Sequence, residues 1–156
     1  MVKLRYLLVA FALYLLNFHC VVLAQEPSRI EPITISTQTA STLLSAEIAD
    51  NEELRQRGMM FRHILPPDQA MLFDFETPRP VAMWMKNTYM SLDMLFVRED
   101  GTIAALAENT VLKSLDTISV QEPVRGVVEL AAGTVKRLAI HKNDKVFHRI
   151  FKTKED

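Results

Sequence analysis

A chain of 156 residues, 49% hydrophobic and 24% charged, has the length of one domain and enough apolar side chains for a packed core, which excludes a disordered protein. Its 18 basic and 19 acidic side chains leave a formal charge of −1, without the dense basic face that nucleic-acid binding needs.

Residues 1–24 differ from the rest. Lys3 and Arg5 give a short basic start, Leu4 to Phe18 is almost wholly apolar, and Val22-Leu23-Ala24 stands before Gln25 and Glu26. That is the layout of a secretory signal peptide. The apolar run falls short of the ~20 residues that span hydrocarbon, so cleavage is expected, with an uncleaved membrane anchor as the alternative. Asn17-Phe18-His19 before Cys20 makes a poor lipobox. The layout predicts a periplasmic or secreted protein, or a membrane-anchored one facing the periplasm. Cleavage removes two basic and no acidic residues, which moves the formal charge from −1 to −3. It also removes Cys20, the only cysteine, and with it disulfides, thiolate metal sites and cysteine nucleophiles.

Residues 25–32, polar with two prolines, read as a linker, and residues 33–156 as a single domain. Ile33 to Ile35 and Leu43 to Ala49 alternate as a strand hairpin. Asp50, with Glu53 three residues on, predicts a capping box for a short helix over 51–57, with Gly58 as its αL terminator. Pro66-Pro67-Asp68 is a turn. Met71 to Phe75 and Val81 to Met85 read as strands separated by a Pro78-Arg79-Pro80 loop. Leu92 to Val97 and Thr102 to Ala107 form a hairpin about Glu99-Asp100-Gly101. Gly126 to Leu130 is a late strand, Ala131 to Leu138 a helical turn or two, and Lys145 to Phe151 the last strand. Strands outnumber helices, and no connection has room for a long crossover helix. The expected fold is therefore mainly β: a small antiparallel barrel, closed or partly closed, with one or two short helices.

The chemistry-bearing residues concentrate between Gly58 and Asp93. This stretch holds the only tryptophan, Trp84, and most of the methionines. Its motifs are Gly58-Met59-Met60-Phe61-Arg62, Leu65-Pro66, Ala70-Met71-Leu72-Phe73, Trp84-Met85-Lys86-Asn87-Thr88 and Leu92-Asp93. Glu129-Leu130-Ala131-Ala132-Gly133 and Asn143-Asp144-Lys145-Val146 follow. On these residues the chain resembles the DUF192 (UPF0127) family over about residues 43–150. The pattern departs twice: Ala70 stands where the family has glycine, which implies that no positive φ is needed there, and Asn143 replaces a turn glycine, a substitution that αL geometry tolerates. The resemblance implies kinship of fold and brings no activity with it.

If residues 81–88 were extended, Trp84, Lys86 and Thr88 would share one face and Met83, Met85 and Asn87 the other. The candidate ligand site is then a polar set of Arg62, Trp84, Lys86, Asn87 and Asp93, with Glu47 nearby, suited to a small polar or anionic ligand. The competing reading is a buried, salt-bridged network with Trp84 as a core anchor. A carboxylate pair of Glu47 with Asp93 or Glu129 is a further option that sequence cannot place. A solvent-shielded, paired Lys86 would favour the structural role; an open cleft with an unpaired Lys86 would favour a site.

These residues also suit two other chemistries. Thioethers with a histidine select Cu(I), and Met60, His63, Met71 and Met85 would supply them, although strand packing places methionines the same way. A hydrolase using Lys86 and Asp93 as acid–base groups is the enzymatic alternative; the serines lack a nucleophile-elbow setting and the histidines are scattered. The sequence therefore points, ahead of the enzymatic alternative, to a non-enzymatic envelope protein, without a cofactor, that binds a small molecule or an envelope component. It would meet no nucleic acid, and a membrane only through residues 1–24 if these are retained.

Overall fold

The computed structural model describes residues 28–153; residues 1–24, read above as a signal peptide, lie outside them. In chain order the elements are β1 (Ile30–Ser36), β2 (Ser41–Ala49), α1 (Glu52–Arg57), β3 (Gln69–Met83), β4 (Leu92–Val97), β5 (Ile103–Ala107), β6 (Ile118–Ala131), α2 (Thr134–Leu138) and β7 (Lys145–Phe147). The strands form one sheet in the order β5-β4-β6-β3-β2-β1-β7. It is nearly closed into a barrel. At the seam Thr102 bridges Lys145, Ile103 N–H donates to the Asp144 carbonyl at 2.9 Å, and Val146 N–H donates to the Gly101 carbonyl at 2.8 Å. Gly101 has φ +78, and a Cβ there would lie 2.5 Å from the Val146 oxygen, so this seam is open only to glycine.

The β1–β2 hairpin follows from its alternation. Ile33, in register with Leu44, faces in together with Ile35 and Ala46, and the Thr37 hydroxyl accepts the Ala40 N–H at the turn. β1 starts at Ile30, inside the stretch read as linker, because Ile30 and Glu31 continue the ladder with Glu47 and Ala46.

The sheet departs from the all-antiparallel expectation at β2 and β3, which run parallel. A parallel return needs about a dozen residues, and residues 50–68 supply them although only α1 within them is helical. The helix cap is Asn51, one residue later than predicted: its side chain accepts the Leu54 N–H at 2.9 Å, while Asp50 pairs with Arg29. Gly58 ends the helix with φ +46 and ψ −133, outside αL yet still a glycine conformation.

β3 passes straight through Pro78 and Pro80, where a loop was expected. Register shifts on either side of Arg79 absorb the prolines, and the Asp74 carboxylate accepts the Glu76 N–H at 2.7 Å to shape the bulge. β6 is correspondingly longer than Gly126 to Leu130, and the two strands form an extended ribbon. β7, in contrast, is only three residues. Ala70 has no positive φ, and Asn143 has φ +76; both departures from the family pattern are thereby accommodated as anticipated.

The sheet separates two cores. Ile33, Ile35, Ile48, Leu72, Leu95, Val128 and Leu130 fill the barrel. Met59, Met71, Phe73, Met85, Leu92, Met94, Phe96 and Val127 form a second core on the opposite face of β3, β4 and β6. All six residues of β4 are buried, as expected of a strand covered on both sides.

Candidate functional site

The second core carries an unusual row of side chains. Glu47 on β2 is in register with Met71 on β3, Met71 with Glu129 on β6, and Glu129 with Met94 on β4. Two carboxylates thus lie on one face with a methionine between them. Arg62, on the segment after α1, grips Glu47 with both terminal nitrogens, one at 2.7 Å, and the Ser28 hydroxyl donates to the same carboxylate at 2.8 Å. The Arg62 hydrogen bond holds the Glu47 carboxyl below the usual range.

Glu129 is different. It is 4% exposed, its Oε2 has no hydrogen-bond partner, and burial pushes its carboxyl up to about 8, against the pull of Arg62. Desolvation dominates because Arg62, the cation that pulls against it, is already engaged by Glu47. Near neutral pH Glu129 is a protonated acid, able to donate a hydrogen bond.

Glu129 lies at the wall of a cleft of about 240 Å³. Met59, Met60, Phe73, Phe75 and Trp84 give it apolar walls, Thr88 a hydroxyl, and Arg57, Arg79 and Lys86 a cationic rim. Those three cations pair with no carboxylate among the described residues. Arg79 instead lies 5.0 Å over the Phe75 ring and Lys86 5.0 Å over the Trp84 ring. Arg55 and Glu52 also border the cleft, but Arg55 donates to the Asp50 and Asp74 carbonyls and pairs with Glu52 at 3.5 Å, so both are committed to the fold.

The local backbone explains how Trp84 and Lys86 reach this cleft. β3 ends at Met83, and a turn follows in which Asn87 has φ +54. The extended alternation expected for 81–88 therefore fails. Trp84 and Lys86 are exposed, while Met85 and Thr88 point inward at 1% and 4% exposure. Trp84, 49% exposed, is a cleft wall and not a core anchor. Asn87 supports the turn: its amide reaches the Met60 sulfur at 3.9 Å, and its carbonyl accepts the Phe61 N–H at 2.8 Å.

Asp93 does not join the cleft. It is fully buried on the barrel-interior side of β4, where one oxygen accepts the Asn109 N–H at 2.9 Å and the other the Val135 N–H at 2.8 Å. Its role is to cap α2 from a distance, since Gly133 at the N-cap has no side chain to do so. Acid–base chemistry by Lys86 with Asp93 has no geometric basis here, and neither has a Glu47–Asp93 pair. Arg62 likewise stands outside the cleft and acts on it only through the charge it places near Glu129.

The four candidate copper ligands are dispersed in role. Met71 and Met85 are buried in the second core, with the Met85 sulfur accepting the Thr110 hydroxyl at 3.3 Å. His63 is exposed and stacked on Tyr89 at 4.9 Å, and Met60 alone lines the cleft. Among the described residues no three His, Asp or Glu side chains cluster as metal ligands.

Sequence reasoning named Lys86 and Trp84 but gave Glu129 only a passing place, and it missed Arg57 and Arg79. The signal available for Glu129 was an acidic residue inside the apolar strand Gly126 to Leu130, a position that burial makes expensive.

Comparison with known proteins supplies the family. The profile of DUF192, described as an uncharacterized ACR, matches residues 33–148. A crystal structure from Sinorhizobium meliloti 1021, provisionally described as a transcription regulator, is 42% identical with a TM-score of 0.79, over 82% of this chain and 100% of that one. A protein of unknown function from Novosphingobium aromaticivorans DSM 12444 is 28% identical with a TM-score of 0.75, over 80% of this chain and 94% of that one. A search of curated proteins returns no match. With the profile spanning most of the chain and both solved structures sharing its fold, this protein belongs to the DUF192 family.

Proposed function

We propose that this domain is a binding protein for a small amphipathic anion, taken up in the cleft between α1 and the end of β3. The observation that carries this reading is the unpartnered, protonated Glu129 beneath a rim of unpaired cations. A carboxylate or phosphate group would accept a hydrogen bond from Glu129 and charge-assisted ones from Lys86, Arg79 or Arg57. An apolar body would lie against Phe73, Phe75, Met60 and Trp84. A cationic ligand would meet like charge at the rim. Nucleic-acid binding finds no support in 18 basic against 19 acidic residues, so the description of the Sinorhizobium protein as a transcription regulator is not carried over.

The reading extends to location. The signal-like layout of residues 1–24 supports a location in the cell envelope, where the domain would bind an envelope component; mass spectrometry of protein recovered from envelope fractions would identify the mature N-terminus. An N-terminus at Met1 in a soluble cytoplasmic fraction would refute that location.

The ligand class is tested by thermal shift with octanoate, octylamine and octanol. Octanoate at a hundred times its Kd should stabilise the protein by about 2.7 kcal/mol, octanol less and octylamine least. Lys86→Met should weaken the octanoate response. Equal or greater stabilisation by the amine would sink the anion reading, and no response to octanoate or octyl phosphate would sink the binding reading.

A further inference from the structure

Three loops, residues 58–65, 84–91 and 108–117, are stitched to one another. The Phe61 N–H donates to the Asn87 carbonyl at 2.8 Å, the Met85 N–H to Ser114 at 3.1 Å and the Lys113 N–H to Thr88 at 3.1 Å. Tyr89 is the knot. Phe61 meets it edge-on at 6.3 Å, His63 stacks on it at 4.9 Å, and Lys113 Nζ lies 4.8 Å over its ring. Of the eight large apolar side chains exposed among the described residues, six belong to these loops: Phe61, Ile64, Trp84, Val111, Leu112 and Leu115, at 49% to 78% exposure. Scattered exposed leucines need no explanation, but this concentration on joined loops marks an interaction face.

Its chemistry selects the occupant. Aliphatic and aromatic tips stand beside two ring–lysine pairs, Lys86 over Trp84 and Lys113 over Tyr89. That sequence of groups matches a bilayer in depth: alkyl side chains among acyl chains, amphipathic rings at the headgroups, ammonium groups at the phosphates. A protein partner's footprint is typically poor in lysine. Loops 58–65 and 84–91 contain no acidic residue; loop 108–117 has Glu108 and Asp116, the latter accepting the Ser114 hydroxyl at 2.9 Å. The chain also enters the fold at this face. Ser28 donates to Glu47, the carboxylate that Arg62 of the first loop grips, and the residues before Ser28 include the apolar run from Leu4 to Phe18.

We infer that these loops dock on an anionic phospholipid bilayer, inserting Phe61, Ile64, Leu112 and Leu115 into one leaflet with Lys86 and Lys113 at its phosphates. No helix among the described residues is long and apolar enough to cross a membrane, and the contact is with one surface only. It requires no ligand in the cleft, although Trp84 and Lys86 belong to both, and the insertion of Phe61, Ile64, Leu112 and Leu115 is read without reference to ligand binding.

Trp84, the only tryptophan of the chain, lies within the face and reports on it directly. Full-length protein is mixed with vesicles of phosphatidylcholine, with or without phosphatidylglycerol, carrying acyl-chain-brominated lipid. The expected result is a blue shift and quenching of Trp84 that strengthen with phosphatidylglycerol. Replacing Phe61, Ile64, Leu112 and Leu115 together by Ser should reduce vesicle affinity about tenfold or more while leaving the far-ultraviolet circular dichroism unchanged. Should that variant not fold, the pair Lys86→Glu and Lys113→Glu should abolish the preference for phosphatidylglycerol. Protein that sediments with vesicles while Trp84 stays unshifted and unquenched is held by its N-terminal residues alone, and docking is refuted. A blue shift that grows with protein concentration in the absence of vesicles would make the face a self-association surface and would equally overturn the inference.

Discussion

Replacing Glu129 by Gln isolates the least comfortable group in the molecule. The amide keeps the shape of the protonated acid and a donor, but it cannot ionise. In the folded protein Glu129 titrates at about 8 against an ordinary 4.5. Below pH 4.5 both folded and unfolded chains hold the proton, and it costs nothing. Between 4.5 and 8 only the unfolded chain releases it, so stability falls as pH rises. Above 8 both states are ionised and the loss levels off. One proton over that interval amounts to about 5 kcal/mol at ~1.36 kcal/mol per pH unit. Arg62 already moderates the shift, and any water reaching the free Oε2 would reduce it further, so this is a ceiling. Chemical denaturation of wild type and variant from pH 4.5 to 9 measures it. The two should be nearly equal at pH 4.5, and the variant should gain steadily towards pH 8. In melting temperature, at about 2–4 °C per kcal/mol, that ceiling corresponds to a gap of at most roughly 10–20 °C. A gap of the same size at pH 4.5 and pH 9 would show that Glu129 is ionised, or equally solvated, in both states, and the protonated donor in the cleft would have to be abandoned.

Asp93→Ala should cost roughly 2–3 kcal/mol in urea unfolding, because the Asn109 and Val135 amides both lose their acceptor inside the barrel, yet the octanoate response should be unchanged; its loss would return Asp93 to the site. Arg62→Ala should cost about 1–3 kcal/mol at pH 7 by leaving Glu47 unpaired. The Glu47 carboxyl is depressed by that pairing, so the contribution is present above the ordinary carboxylate range and lost as pH falls through the depressed value; a cost undiminished in acid would contradict the assignment. Gly101→Ala should cost roughly 3 kcal/mol or more and speed amide exchange at Ile103 and Val146, whereas Gly133→Ala, at φ +82 with nothing within 4 Å of the added Cβ, should cost only about 1–2 kcal/mol of backbone strain. Equal costs at the two glycines would mean that the seam is not tight.

Legibility followed the range of the interaction. The β1–β2 hairpin, β4 and the glycine end of α1 were readable because each depends on neighbours within a few residues. The parallel β2–β3 pair was not, since it is decided by whether residues 50–68 can carry the chain back, a question of path and not of local pattern. Pro78 and Pro80 suggested a loop because proline removes a ladder donor; a bulge beside Asp74 lets the strand continue. Asp93 was legible as important and misread in role, since a buried acid can serve a cleft or cap a helix forty residues away, and only the register of β4 with β6 separates these. Arg57 and Arg79 escaped notice because a rim is assembled from unrelated segments.

The run Trp84 to Thr88 shows why this motif resists a single assignment. Met85 in the second core and the buried Thr88 are fixed, and their backbone groups hold the 108–117 loop through Ser114 and Lys113, while Asn87, at φ +54, holds Phe61. Between these anchors Trp84 and Lys86 face outward and belong both to the wall of the cleft and to the face formed by the loops. A ligand in the cleft and a surface against the loops would therefore share two side chains. Lys86 cannot give its charge in full to a ligand carboxylate and to a lipid phosphate at once. If both contacts exist, they are coupled, and linkage requires the effect to be mutual: whatever octanoate does to vesicle affinity, vesicles must do to octanoate affinity by the same factor. Competition would place the two anions at one locus on Lys86. Mutual strengthening would mean that the bilayer orders Trp84 over the cleft, with Lys86 serving a ligand whose apolar body is itself drawn from the membrane.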